Sequence, residues 1–501
     1  MTAAIRLAVV SAVLICALTG WGTAGSGGLA AGLALGLVLF VLPWWGQPLW
    51  VWSALKIRRN RALRHSDPVT VANDRSSGGV RYQDDVVVTA VAILGKAHRP
   101  TFLGPAGADT ANSLDIGALL PLMRQSLGLN IESLSVVTVG ARCGTAGDYP
   151  RIHDSLIGAQ SYAGQRETWL VIRIRVLVNA DALRWRVTVG TAAVAASQRI
   201  AATLRRNGIR SRVASATDIV ELERKLGRSA VEPHNRRWHT LRGETGWLTT
   251  YAYRPADISA DTLAQAWSLR TDGVIQNVTL FPDGRICATV TVRSAQPPTA
   301  PPSVAFRTLP GRQAQAFAAT LCGPRPHLRG VSRGPLCSPL RIPLGPSGVL
   351  IGRLANGDRL LLPLAGENSR IHITAEDAIA KRLIIRAAGA GERISLHTSD
   401  LDRWCSVRMP NIAVIEHSRP TPGTTVSVVD GTIATAVRPG VVISVSPAGT
   451  ASAGADVVVA QTGPTTVQVH AAGVVYDVEV DLFRAENRYV ATNPVLTMAG
   501  V

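Results

Sequence analysis

A chain of 501 residues, 47% of them hydrophobic, exceeds what one compact core holds, so two or more folded units are expected and disorder of the whole chain is excluded. Charged residues make up only 17%, yet most of the chain mixes polar and apolar residues, which excludes a polytopic transporter. The net charge of +18 comes from 52 Lys and Arg against 34 Asp and Glu, and the only lysines are Lys56, Lys96, Lys225 and Lys381.

No charged residue lies between Leu7 and Leu55. At about 20 apolar residues per crossing, that length holds two membrane helices. Gly20, Gly22, Gly25, Gly27 and Gly28 crowd the middle and permit a turn. The expectation is a transmembrane hairpin within 1–55, running Ile5 to Trp21 out and about Leu29 to Trp52 back. Trp44, Trp45, Trp50 and Trp52 gather where amphipathic rings favour the lipid headgroup layer, and Pro43 and Pro48 bend or end the helix there. Gly28, Gly32 and Gly36 recur every fourth residue and mark a helix-packing face that another helix can approach closely. A basic juxtamembrane linker at 56–79 follows. Its Lys56, Arg58, Arg59, Arg61 and Arg64 stay on the cytoplasmic side of a bilayer, which puts both termini and the body in the cytoplasm. A cleaved signal peptide with its apolar region at Leu7 to Leu18 is the competing reading, and the second apolar span with its basic stop argues against it.

The linker is expected to be flexible from residue 66 to Ser76-Ser77-Gly78-Gly79. Residues 80–295 read as an α/β domain. Val86–Leu94, Ser133–Val139, Trp247–Arg254, Val274–Phe281 and Arg285–Arg293 are strand-like; Thr191–Arg206, Thr217–Leu226 and Ser259–Leu269 are helical. In Thr168–Val178 the alternation puts Trp169, Val171, Arg173 and Arg175 on an arginine-bearing outer face.

The segment Gln296-Pro297-Pro298-Thr299-Ala300-Pro301-Pro302 opens a Pro/Arg-rich linker over 296–340. No acid lies between Asp283 and Asp358, while nine arginines do, so this stretch should seek an anionic surface: an acidic protein partner, phospholipid headgroups or nucleic acid. Nucleic acid is the weakest candidate, because Phe306 and Phe317 are the only aromatics there for base stacking. Residues 341–420 have the strand, helix, strand order of a βαβ unit without a Walker A loop: the helix opens on Thr374-Ala375-Glu376-Asp377, whose two acids repel phosphate. Residues 421–501 read as a β-rich, antiparallel C-terminal region. The fold class is thus a membrane-anchored α+β protein: the hairpin, mixed α/β domains and a terminal β-rich region.

Catalytic patterns are thin. Asp400-Leu401-Asp402 has the D-x-D form that holds a sugar nucleotide through a divalent cation, and it reads equally as the cap of a short helix. No G-x-S-x-G elbow supports a hydrolase, and the six scattered cysteines, with no C-x-x-C, suggest reduced thiols. No catalytic residue, cofactor or metal is assigned.

The arrangement resembles the EccE family of type VII (ESX) secretion systems. The likeness is carried by the hairpin with its basic exit, Gly79-Val80-Arg81-Tyr82 leading into Val86-Val87-Val88-Thr89, Gly140-Ala141-Arg142, Thr168-Trp169-Leu170-Val171-Ile172-Arg173, and Arg393 to Thr398 ahead of Trp404. It spans roughly residues 1–415. The resemblance implies a structural, non-catalytic subunit of an inner-membrane complex with EccB, the EccC ATPase, EccD and the mycosin protease. A membrane-anchored glycosyltransferase-like enzyme using Asp400 and Asp402 is the alternative.

Overall fold

The computed structural model describes residues 3–44, 47–51, 53, 63, 65–73, 76–105, 107–337, 339–364, 369–431, 433, 435, 440–450 and 454–491. It opens on one apolar helical element, Ala3–Phe40, broken at Ala24 and at Gly25, which takes φ +60°. Arg6–Phe40 is the one candidate membrane span among the described residues, where two were expected. The expected return to Trp52 stops at Phe40. Prolines explain the stop, since they cannot continue a helix: Pro43–Trp44 and Gln47–Pro48 form a small antiparallel pair instead.

Residues 69–335 build a twelve-stranded antiparallel sheet. From one edge it runs Leu241–Gly243, Gly246–Tyr253, Arg285–Ser294, Gly273–Leu280, Ser133–Ala141, Gln165–Arg175, Val86–Gly95, Ser76–Gln83 and Val69–Asn73. Val- and Ile-rich central strands are buried on both faces because helices cover both. The helix Val189–Arg206, capped by Thr188 and rich in alanine, packs Val194 and Ile200 with Leu170 and Ile172. On the other face Ile219 and Leu222 of the helix Ala216–Leu226 join Phe317, Leu321, Trp169 and Val171.

Three expectations change here. Residues 66–79, expected to be flexible, supply the edge strand Val69–Asn73 and the start of Ser76–Gln83. The outer face of Gln165–Arg175 is not solvated: Arg173 is fully buried and Trp169 nearly so. The 296–340 stretch is packed rather than a linker, with Phe306–Thr308 pairing Gly246–Tyr253 and Phe317, Leu321 and Cys322 buried. It folds down because Arg173 and Arg81 need its carbonyl oxygens, as described below.

Residues 341–491 build most of a second twelve-stranded sheet. Six neighbouring strands are parallel, in the order Ile412–Ile415, Ile394–His397, Val426–Asp430, Val441–Ser446, Ser369–Thr374 and Val457–Gln461. Six antiparallel strands continue it: Thr466–Ala471, Val474–Glu479, Val349–Arg353, Arg359–Leu362, Thr101–Gly104 and Gly107–Thr110. The boundary expected at 420/421 is therefore no break in the sheet, and Val426–Asp430 and Val441–Ser446 are parallel where antiparallel pairing was expected. The helix Asp377–Ala390 starts after Glu376 rather than Thr374 and is buried along most of its length. The two units are fused, since Thr101–Thr110 crosses from the first to the second and Gly144 N donates to Gly389 O at 3.0 Å.

Candidate functional site

The apolar helix folds back on itself at Ala24–Gly25. A Cβ on Gly28 would collide with Gly20 O, one on Gly32 with Cys16 O, and one on Gly36 would lie 3.1 Å from Val13 Cα. The paired positions run in opposite directions, so the stretches before and after the break lie antiparallel, and Gly28, Gly32 and Gly36 are buried between them. These glycines thus face the chain's own preceding stretch. Trp50 Nε1 donates to Phe40 O at 3.3 Å and closes the helix end. Trp44 lies in the short strand Pro43–Trp44, while Trp45, Trp52, Lys56, Arg58, Arg59, Arg61 and Arg64 lie outside the described residues.

Where the chain reaches the first sheet, buried charges hold it. Arg81 donates to both carboxylate oxygens of Glu223, at 2.5 and 2.9 Å, and to Cys322 O at 2.7 Å. His65 Nδ1 is 3.7 Å from the same carboxylate. Burial pushes the Glu223 pKa up, but hydrogen bonds from His65 and Arg81 outweigh it and hold the carboxyl at about 2. Next to it Arg173 donates to Gly323 O, Leu321 O and Ser135 Oγ at 2.7 to 3.0 Å, and burial lowers its pKa to about 10. A fully buried cation needs such partners, and here they are mostly main-chain carbonyls of residues 321–323. Nothing in the two-residue alternation distinguishes this arginine from a solvated one.

The loop after Gly323 walls a cleft of about 530 Å³ with Glu132, Arg175, Phe281, Asp283, Arg325 and Arg333 among its lining. The Arg333 guanidinium lies 3.5 Å from the centre of the Phe281 ring and meets His327 Nε2 at 3.2 Å. His327 meets the edge of Phe281, and burial, then Arg333, Arg173 and Arg329, lower its pKa to about 4. The cleft is set up for anions. Its two acids are already engaged: Glu132 pairs with Arg175, and Asp283 lies 3.9 Å from Arg285.

Beside the cleft, Leu177, Val178, Trp185 and Val187 are exposed, Trp185 by 81% and Val187 by 92%. The alternation predicts a strand as far as Val178, and the patch lies where the structure ends that strand at Arg175. Its signal was present in Arg184-Trp185-Arg186, a bulky aromatic between two cations.

The D-x-D pair holds a helix. Asp400 Oδ1 accepts from Arg403 N at 3.0 Å and caps Leu401–Trp404, while Arg403 bridges Asp377 and Asp430 and Trp404 Nε1 donates to Asp430 Oδ2. No group of three or more His, Cys, Asp or Glu side chains that could hold a metal occurs among the described residues. Cys287 and Cys322 are buried, and Cys337 is exposed.

A family model, EccE, described as a type VII ESX secretion system translocon, matches residues 162–253. The chain is 48% identical over 522 aligned residues to the ESX-2 secretion system protein EccE2 of Mycobacterium tuberculosis, covering 99% of this chain and 97% of that protein. It is also 26% identical over 211 residues to the ESX-5 secretion system protein EccE5 of Mycobacterium marinum, covering 38% of this chain and 52% of that one.

Proposed function

Because this chain belongs to the EccE family of type VII secretion components, we propose that it is a membrane subunit of an ESX-type secretion complex and works by assembly rather than catalysis. The observation that carries this reading is the near-full-length likeness to an ESX-2 secretion protein. The glycosyltransferase-like alternative does not survive it, and Asp400 is occupied as a helix cap.

In this reading the two stretches of Ala3–Phe40 cross the inner membrane as a two-pass hairpin whose glycine face holds them together. Both termini and both sheets are cytoplasmic, on the strength of the basic cluster from Lys56 to Arg64. The partners are the lipid bilayer and other ESX components, specifically EccB, the EccC ATPase, EccD and the mycosin protease. Arg81, Glu223 and His65 couple the anchor to the first sheet, so movement of one is transmitted to the other.

Capture of the tagged full chain from native membranes in mild detergent tests this. The expected product is a particle far above 52.9 kDa that contains an ATPase and multispanning subunits; a lone monomer or homodimer overturns it. A reporter fused after Val501 that is active only outside the inner membrane would overturn the orientation.

A further inference from the structure

One end of the antiparallel sheet collects features that the assembly reading does not use. Ser66, two residues past the last residue of the basic exit, donates from Oγ to Tyr82 O at 2.6 Å, next to the turn into Val86. Arg175 pairs with Val86 in the register, Val176 N donates to Asp85 O, and Leu134 pairs with Leu280, so residues 176–187 and Phe281 lie at this same end. A Cβ on Gly323 would lie 2.6 Å from His65 Nε2, which brings the Arg325 to Arg333 loop here too. At the opposite end, Gly140 to Gly164 meet the second sheet's helix Asp377–Ala390. The chain's emergence from the apolar helix, the exposed Trp185 and Val187, and the loop arginines therefore share one face, with the second sheet on the far side.

We infer that this end of the first sheet docks on anionic phospholipid headgroups, Trp185, Val187 and Leu177 entering the interfacial layer and Arg325, Arg329 and Arg333 meeting lipid phosphates. The inference rests on the reading of Ala3–Phe40 as a membrane anchor. Three physical facts commit it to lipid. The chain enters this face at His65, against Gly323 and bonded by Arg228, 25 residues after the apolar helix ends at Phe40. An exposed tryptophan flanked by Arg184 and Arg186 suits the headgroup boundary, where an apolar ring sits in the acyl edge and cations stay in the phosphate layer. Charge is complementary: none of Arg325, Arg329 and Arg333 forms an ion pair among the described residues, while Glu132, Asp85 and Asp283 of this face each have an arginine partner and Asp67, Asp84 and Asp181 have none. The Arg333 guanidinium sits over the Phe281 ring, which holds it at the surface without neutralising it.

The full chain is reconstituted in nanodiscs of phosphatidylcholine alone or mixed with phosphatidylglycerol, and hydrogen exchange is followed by peptide. Residues 177–187 and 325–333 should exchange about tenfold more slowly in the anionic discs, since each arginine near such a surface adds to the attraction. High salt should remove the difference by screening. Arg325→Gln combined with Arg329→Gln and Arg333→Gln, and separately Trp185→Ser, should each abolish it, with unchanged exchange at Val441–Ser446 reporting an intact fold. Equal exchange in both discs overturns the docking face. Slowing that needs co-purified secretion subunits and ignores lipid charge also overturns it, in favour of an acidic protein surface. Flotation at alkaline pH reports the anchor separately: loss of the chain from the bilayer overturns the anchor reading and this inference with it, whereas retention with equal exchange overturns the docking face alone.

Discussion

The antiparallel sheet and the mixed one each bury an arginine against a glutamate, and they do so for opposite ends of the chain. In the first, Arg81 and Glu223 are both fully buried and hold His65, where the chain arrives from the apolar helix. In the second, Arg386 and Glu486 are equally buried; Arg386 also donates to Ile351 O and Asp481 O, and Tyr149 OH donates to Glu486 at 2.7 Å. That clasp fixes the last described turn and ties it to the Tyr149–Ile157 helix contributed from the first unit. Each of these two buried pairs fastens a chain end to a sheet, and neither faces solvent where a substrate could reach it.

The comparison breaks most visibly at the clasps. Glu223→Ala and Glu486→Ala should each cost about 3–5 kcal/mol, because each strands a buried guanidinium. Limited proteolysis separates them. Glu223→Ala should open the chain around residues 63–68, and Glu486→Ala around 480–491. Release of the same segment in both variants would refute the assignment of one clasp to each end. Replacing both partners, with Arg386→Met and Glu486→Leu together, should recover most of the loss, since no orphaned charge remains.

The apolar helical element supplies the contrast of a region packed by backbone approach. Gly32→Leu should lower stability in detergent by about 1–3 kcal/mol, as a side chain is forced against Cys16 O and Ala17 Cα. Gly22→Leu is the control, for nothing lies within 4 Å of a Cβ there. Equal melting temperatures for the two would mean that the stretches do not pack as described.

Legibility in the sequence follows the same division. Local devices could be read: the Pro282-Asp283-Gly284 turn is present with Gly284 at φ +73°, and most strands and helices expected in 80–295 fall within a few residues of expectation, but Leu114 to Leu127, helical by its spacing, forms only the 3-10 turn Gly117–Met123 around Pro121, and the helix Tyr149–Ile157 was not expected. What else failed required long-range partners. Arg173 is hydrogen-bonded to residues about 150 positions away, so its two-residue alternation predicted water where residues 321–323 lie. The proline run at 297–302 marked a linker, but Phe317 and Leu321 beyond it carry enough apolar surface to be drawn onto the first sheet. Parallel pairing of Val426–Asp430 likewise depends on Ile394–His397 and Val441–Ser446, which local turn signals do not reveal.

Acid separates the joint between the units, where His153 faces the helix Asp377–Ala390, from the first clasp. His153, fully buried between Tyr149 and Tyr162, has its pKa lowered to about 3 by burial, then by Arg386 and Arg142. A folded pKa below the unfolded value means full stability above about pH 6.5 and progressive loss as pH falls toward 3. Glu223, held at about 2, begins to cost only below about 4.5. Between those pH values the wild type should therefore lose on the order of 1.4 kcal/mol per pH unit relative to His153→Gln, read by chemical denaturation at each pH. Parallel curves for the two would show that His153 is not held neutral.

The smallest effect belongs to the helix caps, and it separates a cap from a charge. Ser215 caps Ala216–Leu226 in the first unit within a reciprocal box with Asp218, while Asp400 alone caps the single turn Leu401–Trp404 in the second. Ser215→Ala and Asp400→Ala should each cost about 1 kcal/mol, since both leave backbone donors without a partner. Asp400→Asn should cost only a few tenths, because an amide oxygen accepts from Arg403 N as a carboxylate does. Arg403 takes its ionic partners from Asp377 and Asp430 and so does not depend on the charge of Asp400. If Asp400→Asn instead destabilises as much as Asp400→Ala in thermal unfolding, the carboxylate acts through its charge, and the turn that positions Trp404 against Asp430 is held electrostatically rather than by its cap.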